Sequence, residues 1–218
     1  MPDVPIRAVI FDLDGVLTDT AEFHYRAWQE LADAEGLPFD RQANEALRGV
    51  SRADSLRLVL AGREVDEATF ARMMAEKNER YVELLADMSP DDLLPGALEL
   101  VEACRDRGLK LAIGSSSKNA PMVLDALEIT DRFDAIADGS TVEVAKPAPD
   151  LFLAAARSLD VEPATCAVVE DAEAGVDAAL AAGMLAVGIG PAERVGHAHL
   201  RYPSTADVDL ETILARGA

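Results

Sequence analysis

The stretch from Ile6 to Thr20 constrains the fold more than any other. Ile6-Arg7-Ala8-Val9-Ile10-Phe11 is a β-branched and apolar run, long enough for one buried strand. It ends in two acids, Asp12 and Asp14, followed by Gly15. Side chains alternate along a strand, so this spacing predicts both carboxylates on one face. The carboxyl end of a parallel strand is where open α/β sheets hold their ligands. Two close carboxylates repel, and one is driven toward its protonated form unless a cation intervenes. A divalent ion such as Mg2+ suits hard oxygen ligands and also binds phosphate. One carboxylate can then attack phosphorus while the other moves a proton. Taken alone, Asp-x-Asp-Gly reads equally well as a strand end and a turn.

The pattern after this strand is helical only. Ala21 to Glu35 places Phe23, Ala27, Trp28, Leu31 and Ala34 near a 3.6-residue period, and Gly36 suits the end of that helix. A second helix is expected over Asp40 to Leu47. Ser51 or Asp54 caps a third that ends at Gly62, and Asp66 caps a long fourth carrying Phe70, Met73, Met74, Tyr81, Leu84 and Leu85. Four such helices bury their stripes against one another as a small bundle. From Pro95-Gly96 onward, helices and strands alternate. Strands are expected at Leu109–Ile113, Ala135–Ala137, Cys166–Val169 and, as the last, Leu185–Ile189. Helices are expected at Ala97–Asp106, Ala120–Leu127, Pro149–Leu159 and Ala174–Ala182. That alternation implies a parallel sheet with right-handed crossovers. The helical block is therefore an insertion into an α/β domain. Residues 191–218 carry turn signals and a short terminal helix.

Charge narrows the partners. The 218 residues carry 40 acidic against 20 basic side chains, a formal net charge of -20. Nucleic-acid backbones and anionic membranes are excluded as expected partners. A phosphate substrate then needs local positive charge from particular Lys and Arg side chains. No apolar run is long enough to span a bilayer, and the N-terminus lacks a signal-peptide pattern. Cys104 and Cys166 show no metal-like spacing and read as buried reduced thiols, which fits a cytoplasmic protein.

Three strand ends gather polar residues: Asp12 and Asp14, then Ser115, Ser116 and Lys118, then Glu170 and Asp171. Lys146 precedes Pro147 between them. In a doubly wound sheet these ends share one edge. Carboxylates from two strands can hold a metal, while hydroxyls, backbone N–H groups and a lysine can hold a phosphoryl group.

These four motifs, Asp12-Leu13-Asp14-Gly15-Val16, the Ser115 loop, Lys146-Pro147 and Glu170-Asp171, resemble those of the haloacid dehalogenase-like superfamily of phosphotransferases. The resemblance covers essentially the whole chain. It implies an α/β Rossmann-like parallel sheet of order 3-2-1-4-5 with an inserted α-helical cap domain. Residues 1–17 and 93–218 would form the core and 18–92 the cap. It implies Asp12 as nucleophile and Asp14 as acid/base. Mg2+ is then held by Asp12, Asp14, Glu170 and Asp171, with Lys146 and Ser115 at the phosphoryl group.

Within this superfamily the cap is similar to that of the mutases that interconvert β-glucose 1-phosphate and glucose 6-phosphate through β-glucose 1,6-bisphosphate. The resembling residues are Thr18 to His24 with Arg26-Ala27-Trp28, Gly49-Val50-Ser51-Arg52, Lys77-Asn78 and Ser117-Lys118-Asn119. By this likeness Trp28, Gly49, Val50, Ser51, Arg52, Ser55, Lys77, Ser116, Ser117, Lys118 and Asn119 meet the sugar phosphate. Thr20 sits at a hinge, and His24 orients Asp14. Arg52 suits a bidentate clamp on the phosphate that is not reacting. The second loop departs from the family's Ser-Ala-Ser: Ser116 adds a hydroxyl without removing the phosphate site. A monomer suffices for such an enzyme. Two other readings stand beside it: a sugar-phosphate phosphatase on the same scaffold, and a non-catalytic phosphate-binding protein.

Overall fold

The computed structural model describes residues 5–216. The first four and last two residues of the expected core lie outside that range. Strands β1 (Ala8–Phe11), β2 (Lys110–Gly114), β3 (Ala135–Ala137), β4 (Cys166–Glu170), β5 (Leu185–Ile189) and β6 (Leu200–Tyr202) form one sheet in the order β3-β2-β1-β4-β5-β6. Every neighbouring pair is parallel.

The central strand shows why this sequence makes a two-faced sheet. Val9 and Phe11 point to one side, where α5 (Ala97–Asp106) contributes Leu100, Val101 and Cys104 and α10 (Leu210–Ala215) contributes Ile213. Ala8 and Ile10 point to the other, where α7 (Asp150–Leu159) contributes Leu151, Phe152 and Ala155. There α8 (Glu173–Ala181) adds Val176 and Ala179. The period of two thus feeds two separate cores, and all four residues of β1 are buried. Helices α6 (Ala120–Ala126) and α9 (Ala192–Val195) complete the wrapping.

Between β1 and α5 the chain leaves the sheet as four helices: α1 (Ala21–Glu35), α2 (Arg41–Glu45), α3 (Arg52–Val59) and α4 (Glu67–Leu84). Trp28, Leu31, Leu56, Val59 and Met73 form their own core. Gly36 adopts a left-handed conformation at φ +63° and ends α1. Of the two residues expected to cap α3, Ser51 does so, accepting from the Asp54 N–H at 3.2 Å. The two connections to the sheet run side by side: Thr18 bridges Leu93, the Leu94 N–H donates to the Leu17 carbonyl at 2.8 Å, and Thr18 Oγ1 donates to the Asp92 carbonyl at 2.8 Å.

Two expectations need correction. The sheet does not end at β5, because β6 adds a sixth strand from the region expected to hold only turns and a short helix. Three half-buried or exposed residues are too few to show a period, and their pairing with β5 is set by tertiary structure. The second helix stops at Glu45 rather than Leu47. Residues 46–49 become turns that lead to Gly49 at φ +73°, a left-handed conformation that a side chain would strain.

Candidate active site

The carboxyl edge of the sheet meets the cap across a cavity of about 720 Å³. Its floor is the end of β1. Asp12 is the first residue beyond that strand, buried, with its N–H donating to the Val169 carbonyl at 2.9 Å. Lys146 Nζ donates to Asp12 Oδ1 at 2.7 Å and to Glu170 Oε2 at 3.4 Å. The Lys146 side chain is fully enclosed. Burial alone would lower its pKa, but the Asp12 and Glu170 charges outweigh it and push the ammonium up to about 12.

Asp12, Glu170 and Asp171 each offer a carboxylate oxygen within 4.8 Å of the others. The chain is shaped around them. A Cβ on Gly175 would stand 1.8 Å from Glu170 Oε1, and one on Gly15 would stand 2.3 Å from Asp171 Oδ2. Burial raises the Glu170 pKa well above its usual range and that of Asp171 to about 6. The charge of Asp12 adds to both effects, and Arg48 and Arg194 oppose it at Asp171. Three clustered oxygens of hard character fit a magnesium-sized divalent cation, whose charge would relieve that strain.

Asp14 lies outside this carboxylate group. Strand β1 ends at Phe11, and Asp14 follows beyond it, lining the same cavity as Asp12. Its Oδ1 is buried with no hydrogen-bond partner among the described residues. Burial first, then the charges of Asp12 and Asp171, raise its pKa to about 8. Burial thus holds it toward its protonated form at the mouth of β1.

The loop after β2 supplies the next wall. Ser115 Oγ accepts from the Ser117 N–H and Ser117 Oγ from the Asn119 N–H, both at 3.2 Å. Ser115, Ser116, Ser117 and Lys118 line the cavity. Two contacts then cross to the cap. Ser116 Oγ donates to the Gly49 carbonyl at 2.9 Å, and Asn119 Nδ2 donates to Asn78 Oδ1 at 2.9 Å. The hydroxyl that departs from the family pattern is thus a cap–core contact.

The roof comes from α1, α3 and α4. His24, Trp28, Gly49, Val50, Ser51, Arg52, Ser55 and Lys77 line it. Lys77 Nζ and His24 Nδ1 are hydrogen-bonded at 2.6 Å. Lys77 also stands 5.0 Å from the Trp28 ring centroid and 4.6 Å from that of Tyr81, while His24 stacks on Tyr81 at 4.0 Å. Burial, then the neighbouring cations, hold both His24 and Lys77 well below their usual pKa values. Burial also lowers Arg52, and no carboxylate offsets it. The roof therefore sets Arg52, with no carboxylate offsetting it, beside two basic groups that burial holds toward their neutral forms.

Thr20, Asn119, Lys146 and Glu170 stand behind the cavity wall rather than on it; Thr20 Oγ1 is buried and has no hydrogen-bond partner among the described residues. Sequence reasoning missed Arg48 and Arg194, which both reach Asp171. Arg48 adjoins the Gly49 motif, but Arg194 lies in a tail without any motif, and neither contact follows from local spacing. His199, which carried no expected role, accepts the Ala186 N–H at 3.0 Å beside β5.

A buried carboxylate at the first strand's end, a lysine paired to it, and a helical cap above are the arrangement of a phosphotransferase of the haloacid dehalogenase type. The haloacid dehalogenase-like hydrolase model matches residues 6–183, and the chain belongs to that family. Within it, the chain is 46% identical over 212 residues to the β-phosphoglucomutase of Bacillus subtilis (strain 168), covering 95% of this chain and 94% of that one. The crystal structure of β-phosphoglucomutase from Clostridium difficile superposes with a TM-score of 0.94 at 41% identity, covering 97% of each chain. The chain is also 35% identical over 187 residues to a fructose-1-phosphate phosphatase of Escherichia coli (strain K12), covering 83% of this chain and 95% of that enzyme.

Proposed function

We propose that this chain is a β-phosphoglucomutase, an isomerase that interconverts β-D-glucose 1-phosphate and D-glucose 6-phosphate. The observation that carries the reading is Arg52: a half-buried guanidinium on the cavity roof with no carboxylate to offset it. A phosphatase needs one phosphate site, beside its nucleophile. A mutase needs a second for the phosphate that is not reacting, and a bidentate guanidinium meets that need.

In this reading Asp12, Glu170 and Asp171 hold Mg2+, which supplies charge neutralisation at the phosphoryl oxygens. The Asp12 carboxylate attacks phosphorus and becomes an aspartyl phosphate, while Lys146 stays paired to its free oxygen. Asp14, held toward its protonated form by burial, gives its proton to the departing sugar oxygen and later accepts the proton of the attacking hydroxyl. Ser115 and its loop N–H groups receive the phosphoryl oxygens. β-Glucose 1,6-bisphosphate is the intermediate and activator. It turns over between two phosphate grips, with Arg52 and Lys118 on the second and Asn119 behind them, bonded to Asn78 of the cap. Lys77, His24 and Trp28 orient the sugar and the cap. Residues 18–92 act as the moving cap, hinged near Thr20 and at the paired crossings of Thr18 and Leu93. A closed cap excludes water, which favours transfer to sugar over hydrolysis.

Buried free cysteines fit a cytoplasmic, reducing setting, and no described helix is long and apolar enough to cross a membrane. A monomer contains every group the reaction uses. The likeness to a fructose-1-phosphate phosphatase supports a second reading, a sugar-phosphate phosphatase. Incubation with β-glucose 1-phosphate, Mg2+ and a trace of the bisphosphate tests the choice. The mutase yields glucose 6-phosphate from the β-anomer and none from the α-anomer; a phosphatase yields free glucose and phosphate.

A further inference from the structure

Four charged side chains close a ring across the boundary between the inserted helices and the sheet. Arg48 and Glu45 belong to the insertion, Asp171 and Arg194 to the sheet domain. Arg48 Nη1 donates to Asp171 Oδ2 at 3.1 Å, and Arg48 Nε donates to Glu45 Oε2 at 3.1 Å. Arg194 Nη2 lies 3.7 Å from the same Asp171 oxygen, and Arg194 Nη1 lies 3.6 Å from the same Glu45 oxygen. The Asp171 side chain is 7% exposed and that of Arg48 24%. The phosphoryl-transfer scheme gives neither arginine a task.

Asp171 carries a second claim, because its carboxylate stands with Asp12 and Glu170 in the group suited to a divalent cation. It is held tightly, with Gly15 packed against the very oxygen that Arg48 and Arg194 take. A divalent ion and a guanidinium at one small carboxylate repel each other, and the burial of Asp171 leaves that repulsion weakly screened. Glu45 makes release of Arg48 inexpensive. It sits three residues earlier on the same segment, is half exposed, and keeps the guanidinium neutralised when Asp171 is lost.

We propose that Arg48 competes with Mg2+ for Asp171, so that docking of the inserted helices on the sheet and metal binding oppose each other through one carboxylate. Linkage makes the effect reciprocal: whatever Arg48 costs the metal, the metal costs the Arg48 contact. Arg48 is in this sense a positioning residue that acts through Asp171. The inference rests on the metal assignment but not on the identity of the sugar.

The test is calorimetric titration of MgCl2 into the full-length protein without sugar. Arg48→Gln tightens Mg2+ binding by about tenfold, a modest outcome for deleting a full charge beside a divalent ion. Arg48→Lys, which keeps the charge, stays near the unsubstituted protein. Arg194→Gln tightens binding by less, since its contact is longer. Unchanged or weaker binding in Arg48→Gln overturns the proposal, and so does absence of Mg2+ binding in every protein. A second reading needs no charge deletion. In the arginine side-chain NMR spectrum of the unsubstituted protein, assigned with Arg48→Lys, saturating Mg2+ shifts the Arg48 guanidinium signal. A signal that stays in place contradicts the competition. Glucose 6-phosphate formation on the same preparations is scored apart, so failure of the mutase reading leaves the metal titration standing.

Discussion

The floor and the roof of the cavity are built to opposite electrical plans. The floor packs Asp12, Glu170 and Asp171 together against one enclosed lysine and suits a cation. The roof buries Arg52, Lys77 and His24 with no carboxylate offsetting Arg52, and suits an anion. A chain with a net charge of -20 has left Arg52 here with no carboxylate to offset it. Burying an uncompensated charge is costly, so a divalent cation on the floor and a dianionic group beneath the roof would each restore balance on its own side. In the proposed reading, the floor performs the transfer and the roof keeps the substrate in place for a second one.

The largest break in this contrast comes from the floor. Asp12→Ala removes the nucleophile, and turnover of sugar phosphate falls by about 10⁴-fold or more, measured by glucose 6-phosphate formation. Lys146→Ala leaves Asp12 and Glu170 facing each other in a buried site. Chemical denaturation of the metal-free protein should show a loss of about 3–5 kcal/mol, as for a buried ion pair stripped of one partner. Added Mg2+ should recover part of it, and no recovery would argue against a shared cation site.

The seam between floor and roof gives a smaller effect. Ser116→Ala deletes one hydrogen bond to the Gly49 carbonyl. One such bond is worth about 1 kcal/mol, so the proportion of turnovers ending in free phosphate should rise about fivefold. An unchanged proportion would show that this contact does not hold the cap shut.

The smallest effect concerns the roof's titration. His24 is neutral when folded, with a pKa held well below its usual 6.5 by burial and then by Lys77 and Arg52. Just below pH 6.5 the unfolded chain therefore binds a proton that the folded chain refuses. Stability is intact above that pH and falls as the pH drops through the window. Melting temperatures measured across that window should fall less steeply for His24→Gln. Parallel curves would mean that His24 takes up its proton in the folded state.

The floor was far more legible in the sequence than the seam. β1 could be read because four buried residues in a row end in acids, and the Glu170-Asp171 pair because an apolar strand ends there. The sixth strand was not legible: Leu200 to Tyr202 is too short for a period, and only its pairing with β5 makes it a strand. Asp12 and Asp14 both line the cavity, but that Asp14 stands outside the carboxylate group could not be read from their spacing. Arg48 meets Asp171 across 123 positions of sequence, and no local pattern encodes such an encounter. Ser116 was visible as a departure from the family motif, but its partner, a backbone carbonyl of the cap, was not.

The central claim is that the roof grips a second phosphate through Arg52. Parallel measurement of glucose 6-phosphate and inorganic phosphate from β-glucose 1-phosphate, in the unsubstituted protein and in Arg52→Ala, tests it most directly. A second phosphate grip gives glucose 6-phosphate with little phosphate release in the first. In Arg52→Ala glucose 6-phosphate formation falls by about 100-fold or more, as expected for losing a bidentate charged contact, while hydrolysis of small phosphates persists. Equal product ratios in the two proteins, or phosphate release without glucose 6-phosphate in the unsubstituted one, would contradict it.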